Sequence, residues 1–221
     1  MKDKLFGKTL KELQDLFLAD AEKYHVLPID DRTVERVNAE VAGRPDLMAG
    51  RTSLTLAEGM TGMTENIFIN IKNKSKTITA EVEVPADGGN GTIIAQGGRF
   101  GGWSLYVKDG KPGYTYNFIG LQHTTIISSK KLPAGKSTVK FDFAYDGGGM
   151  AKGGLGTLYI NGEKVGEGRL EHTQPMIFSA DETADVGIDL ATPVVEEIGA
   201  EKASKFTGSI TRVTVEVEEV K

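Results

Sequence analysis

The chain has 221 residues, no cysteine and a formal net charge of −5. The missing thiols exclude disulfides, thiolate metal sites and a Cys nucleophile. The interspersed, mildly acidic charge speaks against nucleic acid or an anionic membrane as partner, since either needs a basic face.

Taken in order, the start MKDKLFGKTL carries charge but no apolar signal core. A cytoplasmic protein reads this way, and so does a fragment of a longer chain. No apolar run approaches the length of a membrane span. Thr9-Leu10-Lys11-Glu12 fits a capping box, in which the hydroxyl and the carboxylate satisfy each other's backbone N–H groups. Leu10, Leu13, Phe17, Ala21 and Tyr24 then recur at helical spacing, which predicts a helix from Leu10 to His25 with one apolar face. Pro28 should limit it. That stripe must bury against the rest of the chain, against a parent domain, or in a homo-oligomer formed through the helix. Residues 28–50 are polar and mixed. A short helix fits Val34–Val41, and Gly43, Pro45 and Gly50 punctuate an irregular crossing. The expected organisation is a helix and linker over residues 1–50 and a β domain over residues 51–221.

From Arg51 the period changes to two. Strands are predicted at Thr52–Leu56, Asn66–Ile71 and Thr77–Val84. The central stretch Thr92–Gly149 is the clearest part: WSLYV, YTYNFI and VKFDFAY alternate apolar with polar. Asp109-Gly110 is a hairpin dipeptide that pairs Trp103–Lys108 with Gly113–Ile119, and Asn161-Gly162 does the same for Leu158–Ile160 and Lys164–Glu167. Met176–Phe178, Val186–Asp189 and Phe206–Glu218 complete the set. The 28 glycines, against average usage of roughly 7%, suit this density of turns. Nothing alternates helix with strand after residue 50, so the class is mainly β, an antiparallel sandwich or jelly roll with an N-terminal helix.

Chemistry-bearing patterns are sparse. His25, His123 and His172 are far apart and form no H-x-H or H-E-x-x-H pattern. Ser104 lies inside a strand, not on a nucleophile elbow. Glu81/Glu83 and Glu216/Glu218 are paired carboxylates at alternate strand positions, a geometry that suits a retaining glycosidase but also an ordinary solvated strand face. The run from Ser179 to Asp189 offers Asp181, Asp185 and Asp189 as oxygen ligands for Ca²⁺ without matching an EF-hand. Gly97-Gly98-Arg99-Phe100-Gly101-Gly102 and Asp146-Gly147-Gly148-Gly149 are either tight connections or places where a ligand meets backbone. If a ligand site exists, Arg99, Trp103, His123 and Asp146 are its candidates. Arg99 brings a planar fork for sulfate or carboxylate, Trp103 a face for a sugar, and the other two lie at loop mouths. The alternative is an Arg99–Asp146 structural pair.

LKELQDLFLADAEKYHVLPIDDR, AGRPDLMAGRTSLTL, TITAEVEVP, IIAQGGRFGGWSLYVKDGKPGYTYNF, FAYDGGGMAKGG and QPMIFSADETADVGIDLATPV resemble the C-terminal region of large bacterial arylsulfatases. GGWSLYVKDGK, TLYINGEKVGEG and FTGSITRVTV are similar, more loosely, to concanavalin-A-like and laminin-G-like sandwiches. The resemblance implies a concanavalin-A-like jelly roll with an N-terminal helix. It stops short of catalysis: the family's C/S-x-P-x-R motif has no counterpart, because there is no Cys and no Ser has Pro two places on. What it implies is a non-catalytic accessory domain that serves a sulfatase-type catalytic domain or binds a glycan or sulfated ligand. A small polysaccharide hydrolase on the same fold and a structural or oligomerising module are the alternatives.

Overall fold

The computed structural model describes residues 4–5, 7–27, 47–86 and 88–218. The helix expected at Val34–Val41, and Pro28, Gly43 and Pro45, lie outside them. The chain divides into two compact units, residues 1–36 and 37–221.

In the first unit, β1 (Lys4–Leu5) pairs antiparallel with β2 (Lys8–Thr9), which runs directly into α1 (Leu10–Lys23). The capping box forms: Thr9 Oγ1 accepts from Glu12 N at 3.3 Å, and Thr9 N donates to Glu12 Oε2 at 2.5 Å. The helix ends through its own backbone before Pro28 can act. Tyr24 N donates back to Asp20 O, and His25 takes a left-handed φ of 55°, the usual way to close a last turn. Of the apolar stripe, Ala21 is buried, while Leu10, Phe17 and Tyr24 are exposed.

The second unit is a two-sheet antiparallel sandwich. Its first sheet contains β3 (Ser53–Leu56), β4 (Lys76–Val84), β9 (Gly135–Tyr145), β10 (Gly154–Ile160), β11 (Glu163–Leu170) and β13 (Ser209–Val217), in spatial order β11-β10-β9-β4-β13-β3. Its second contains β5 (Gly91–Gly98), β6 (Gly101–Lys108), β7 (Lys111–Phe118), β8 (Gln122–Ile127) and β12 (Ala184–Val186), in order β12-β5-β6-β7-β8. Asp109-Gly110 and Asn161-Gly162 are both two-residue hairpin turns, with φ of 51° and 76°, and 49° and 82°. Both central residues of each turn are left-handed, which matches the twist of the flanking strands.

The first sheet shows the alternation a half-buried sheet requires. Ile78, Ala80, Val82 and Val84 of β4 point inward with Val139, Phe141 and Phe143 of β9, while Thr77, Thr79, Glu81 and Glu83 alternate away from them. The inner face of the second sheet supplies Trp103, Leu105 and Val107 of β6 and Tyr114 and Tyr116 of β7. Tyr114 stacks on Phe141 across the two sheets at 3.5 Å between ring centroids, and Trp103 lies beside Tyr114 at 6.2 Å.

Two expected strands do not form. Residues 66–71 make a turn-rich loop in which the adjacent Phe68 and Ile69 are both buried. Local bonds take the place of a ladder there: Ile67 N donates to Thr64 O, and Lys72 N donates to Asn70 Oδ1. Side chains that bond their own backbone compete with sheet formation in this way. Residues 176–178 are likewise irregular, and of the strand expected at Val186–Asp189 only Val186 is in a strand, as the last residue of β12.

One inward position carries an amine. Lys76, at the start of β4, is 4% exposed, with its Nζ over the rings of Phe143 at 4.8 Å and Tyr116 at 5.9 Å. Burial pushes its pKa down to about 7, and the neighbouring Lys72 adds to the effect. The unfolded chain therefore holds a proton that the folded chain releases between about pH 7 and about pH 10. Stability should rise with pH across that window. Lys76→Met removes this dependence, so it should melt above wild type at pH 7. Its advantage should shrink by up to about 1.4 kcal/mol per pH unit toward pH 10. Calorimetry of both proteins at pH 7 and 10 checks this; a constant gap would show that the amine stays charged.

Candidate functional site

The second sheet differs from the first in being buried on both faces through β5, β6 and β7. Its outer rows are small or hydroxylic. Gly97 lies opposite Gly102, Ala95 opposite Ser104, and Ser104 opposite Thr115. The segment from Gly187 to Phe206 is laid over this surface. Thr92 N donates to Ser204 O, Gly187 N to Ile93 O, and Arg99 N to Thr192 Oγ1. Space is short enough that a Cβ on Gly98 would lie 2.6 Å from Thr192 O and closer still to the Glu182 carboxylate. Gly98 is thus packed under the strap and Gly101 against Gln174 and Phe178, so the glycines of the first run serve close packing.

Asp189 and Ser204 hold the strap's ends together. Asp189 N donates to Ser204 Oγ at 2.8 Å, Ser204 Oγ donates to Glu201 O at 2.8 Å, and Glu201 N donates to Asp189 O at 2.7 Å. The Asp189 carboxylate accepts from Val194 N at 3.0 Å through Oδ2, while its Oδ1 is buried with no hydrogen-bond partner. Burial pushes this carboxyl up to about 7, and the Asp185 and Glu182 carboxylates add to the shift.

Where the strap stops short of β8, an open groove of about 690 Å³ remains. Tyr106, Thr115, Thr125 and Ile127 line its sheet side; Val194, Val195, Glu196 and Glu197 line it from the strap. The Tyr106 hydroxyl accepts from Thr115 Oγ1 at 3.3 Å, and Thr115 and Thr125 share a hydrogen bond of 2.9 Å. Gly113 makes this floor possible: a Cβ there would come within 2.6 Å of the Tyr106 ring and 2.9 Å of Ile127 Cδ1. One end holds His123; the other holds Lys108, Asp109, Lys111 and Lys131. A second depression, of about 420 Å³, lies beside Gly147, Gly148 and Gly149 and is also lined by Lys72, Asn73 and Tyr145.

The sequence-predicted residues do not converge. His123 lines the groove. Arg99 stands beside it with its fork already filled: Nε and Nη2 donate to the two carboxylate oxygens of Glu196 at 2.6 and 3.1 Å. Asp146 pairs with Arg169 on β11, not with Arg99. Trp103 is fully buried and donates from Nε1 to the buried Gln96 Oε1 at 3.0 Å, so it offers no stacking face. Asp185 accepts from Gly62 N at 2.8 Å and Asp189 serves the strap, while Asp181 is exposed. Among the described residues no group of three His, Asp or Glu side chains could hold a metal ion. Glu81 is held by Arg212 and, with Glu83, lines neither depression. Sequence reasoning missed Thr115, Thr125 and the Val194–Glu197 strap. The outward threonines were visible in the strand alternation, but their shared row needed the β7–β8 register.

No family model matches the chain, and no curated protein matches it. Among solved structures it is similar to the CBM40 of the Ruminococcus gnavus IT-sialidase bound to alpha2,3 sialyllactose: 16% identity, 77% of this chain and 92% of that one, TM-score 0.50. The same CBM40 bound to alpha2,6 sialyllactose matches with 16% identity, 77% of this chain, 93% of that one and TM-score 0.50. Domains LG4-5 of the mouse laminin alpha1 chain match with 13% identity, 76% of this chain, 39% of that one and TM-score 0.45. The fold is a mainly β, antiparallel jelly-roll sandwich of the kind seen in that CBM40.

The Asp189 clasp generates a test. With its pKa raised to about 7, the folded protein keeps a proton that the unfolded chain loses near pH 4. The stability this proton confers is full below about pH 4 and is lost as pH rises through about 7. Asp189→Asn cannot ionise and still offers an oxygen to Val194 N. It should melt above wild type at pH 8 and converge with it near pH 4, the gap changing by up to about 1.4 kcal/mol per pH unit. A gap that is the same at pH 4 and pH 8 would mean that Asp189 is ionised throughout.

Proposed function

We propose that this chain is a non-catalytic, glycan-binding accessory domain and that the groove beside β8 is its binding site. The observation that carries the reading is the groove's composition. It pairs the exposed Thr125 and Ile127, set over the buried Thr115 and Tyr106, with a rim of charged side chains, the mixture of apolar contact and directional polar groups that sugar rings need. Its volume of about 690 Å³ falls within the range of roughly 300–1,000 Å³ common for small-ligand sites. The floor belongs to rigid strands and the far wall to a strap tied at both ends, so little order has to be gained on binding. The fold neighbour from Ruminococcus gnavus is a sialidase module solved with sialyllactose, which supports carbohydrate as the ligand class.

The finer reading, an accessory to a sulfatase-type catalytic domain, is supported by the sequence resemblance. The hydrolase reading has less support: Glu196 and Glu197 in the groove are ion-paired with Arg99 and Lys108. A third reading, self-association through α1, is favoured by the exposure of Leu10, Phe17 and Tyr24, apolar area of the kind that marks contact sites. If α1 self-associates, Phe17→Asp should halve the mass seen by light scattering; an unchanged mass removes this reading.

Thr125 is exposed on the groove floor, and Thr125→Tyr should fill the groove while remaining compatible with a strand. On a glycan array followed by calorimetric titration of the hits, wild type should bind and the variant should bind at least about tenfold more weakly, equivalent to about 1.4 kcal/mol. Melting temperature should stay the same. Binding that survives Thr125→Tyr would move the site elsewhere, and release of new reducing ends from a bound polysaccharide would favour the hydrolase.

A further inference from the structure

The charged groups of the groove are not evenly distributed. At the His123 end, Glu196 is neutralised by the two-bonded Arg99 fork. At the opposite end, β6 and β7 meet in the two-residue Asp109-Gly110 turn, which places Lys108 directly across from Lys111. Lys131 joins them: a Cβ on Gly110 would lie 3.3 Å from its Cδ, so its stem runs along the turn. Of the three ammonium groups, Lys108 pairs with Glu197. Lys111 and Lys131 have no hydrogen-bond or ion-pair partner among the described residues. Asp109 is the remaining acid at this end. A chain of net charge −5 thus places two uncommitted ammonium groups against one uncommitted carboxylate, in a groove.

The turn that carries them is fixed in place. Asp109 N donates to Asn90 Oδ1 at 2.7 Å, Gly110 N to Gly89 O at 3.2 Å, and Leu132 N to Gly110 O at 2.8 Å. The lysine heads are mobile donors on anchored backbone, which suits a compact oxyanion more than a neutral hydroxyl. The exposed part of the floor, Thr125 and Ile127, lies alongside.

We infer that the groove takes an acidic glycan, with the carboxylate or sulfate of one residue held by Lys111 and Lys131 beside Lys108, and the neighbouring ring on Ile127 and Thr125. This rests on the glycan-binding reading above and adds the charge class and the end of the groove that reads it. The anion subsite is therefore at the turn end and not at Arg99, whose fork is committed to Glu196.

The test titrates wild type, the Lys111→Gln/Lys131→Gln double variant and a Lys111→Arg/Lys131→Arg double variant. The probes are a hyaluronan hexasaccharide (carboxylate only), a chondroitin 4-sulfate hexasaccharide (carboxylate and sulfate) and chitohexaose (neutral), each at 50 and 300 mM NaCl. Lys131 is exposed and Lys111 half-buried, and melting curves check that the variants fold. An acidic probe should bind about tenfold tighter than chitohexaose at low salt and lose that margin at high salt. The Gln variant should lose it at both, and the Arg variant should keep it at low salt. The pair of acidic probes tells carboxylate from sulfate. An acidic probe that binds no tighter than chitohexaose, or binds the Gln variant equally well, overturns the inference. If chitohexaose still binds and Thr125→Tyr blocks it, the glycan-binding reading survives that result. If no probe binds wild type, both fall.

Discussion

Asp189 and Ser204 lie 15 positions apart and clasp each other by side chain and main chain. The rest of the second sheet's outer surface depends on that clasp. It ties down the strap, whose Thr192 lies over Gly98 and whose Val194–Glu197 form one wall of the groove. A β-sheet with polar threonines and glycines outward would ordinarily face water. Here β5, β6 and β7 are buried on both faces, so small residues are required by contact, and open ground remains beside β8. The clasp also has a cost: it leaves Asp189 Oδ1 buried without a partner, the kind of unmet group that stable cores avoid. A carboxyl whose pKa lies near neutrality is the physical result.

The core bears most of the stability. The stack from Trp103 through Tyr114 to Phe141 joins the two sheets at their centre, and aromatic contacts of this type add to simple burial. The surface ion pairs do something else. Exposed pairs such as Arg99–Glu196 and Arg169–Asp146 contribute little energy because water screens them. They do commit their charges. An arginine fork with both nitrogens on a carboxylate is not free to bind sulfate, however well its chemistry suits it. The distribution of committed and uncommitted charge, more than the count of charges, therefore marks the Lys111–Lys131 end of the groove.

Arg99, Trp103, His123 and Asp146 differ in how far their chemistry is free to act. Each has chemistry that binds sugars or anions, and three of the four proved occupied or buried. Trp103 stands in a run, WSLYV, whose alternation already placed it on the same face as Leu105 and Val107; the core was the reading the pattern favoured. Arg99 and Asp146 gave no such hint. Their partners, Glu196 and Arg169, are 97 and 23 residues away, and nothing local identifies them.

Much of the architecture follows from short-range rules that act on neighbouring residues. Thr9 and Glu12 start the helix, Asp109-Gly110 and Asn161-Gly162 make their hairpins, and the alternation in β4, β7 and β9 decides which side chains enter the core. These are local preferences of backbone and solvent, so they can be read from the chain. The irregular loop at residues 66–71 escaped them because alternating isoleucines look alike in a strand and in a capping loop. The site escaped them for a deeper reason. Strand register across β7 and β8, the path of the strap and the partner of every charged group are long-range choices, decided by which packing buries the most surface while leaving the fewest polar atoms unmet. Only the tertiary structure could bring Thr125, Val194, Lys111 and Lys131 to one groove, because no interaction among near neighbours along the chain brings them together.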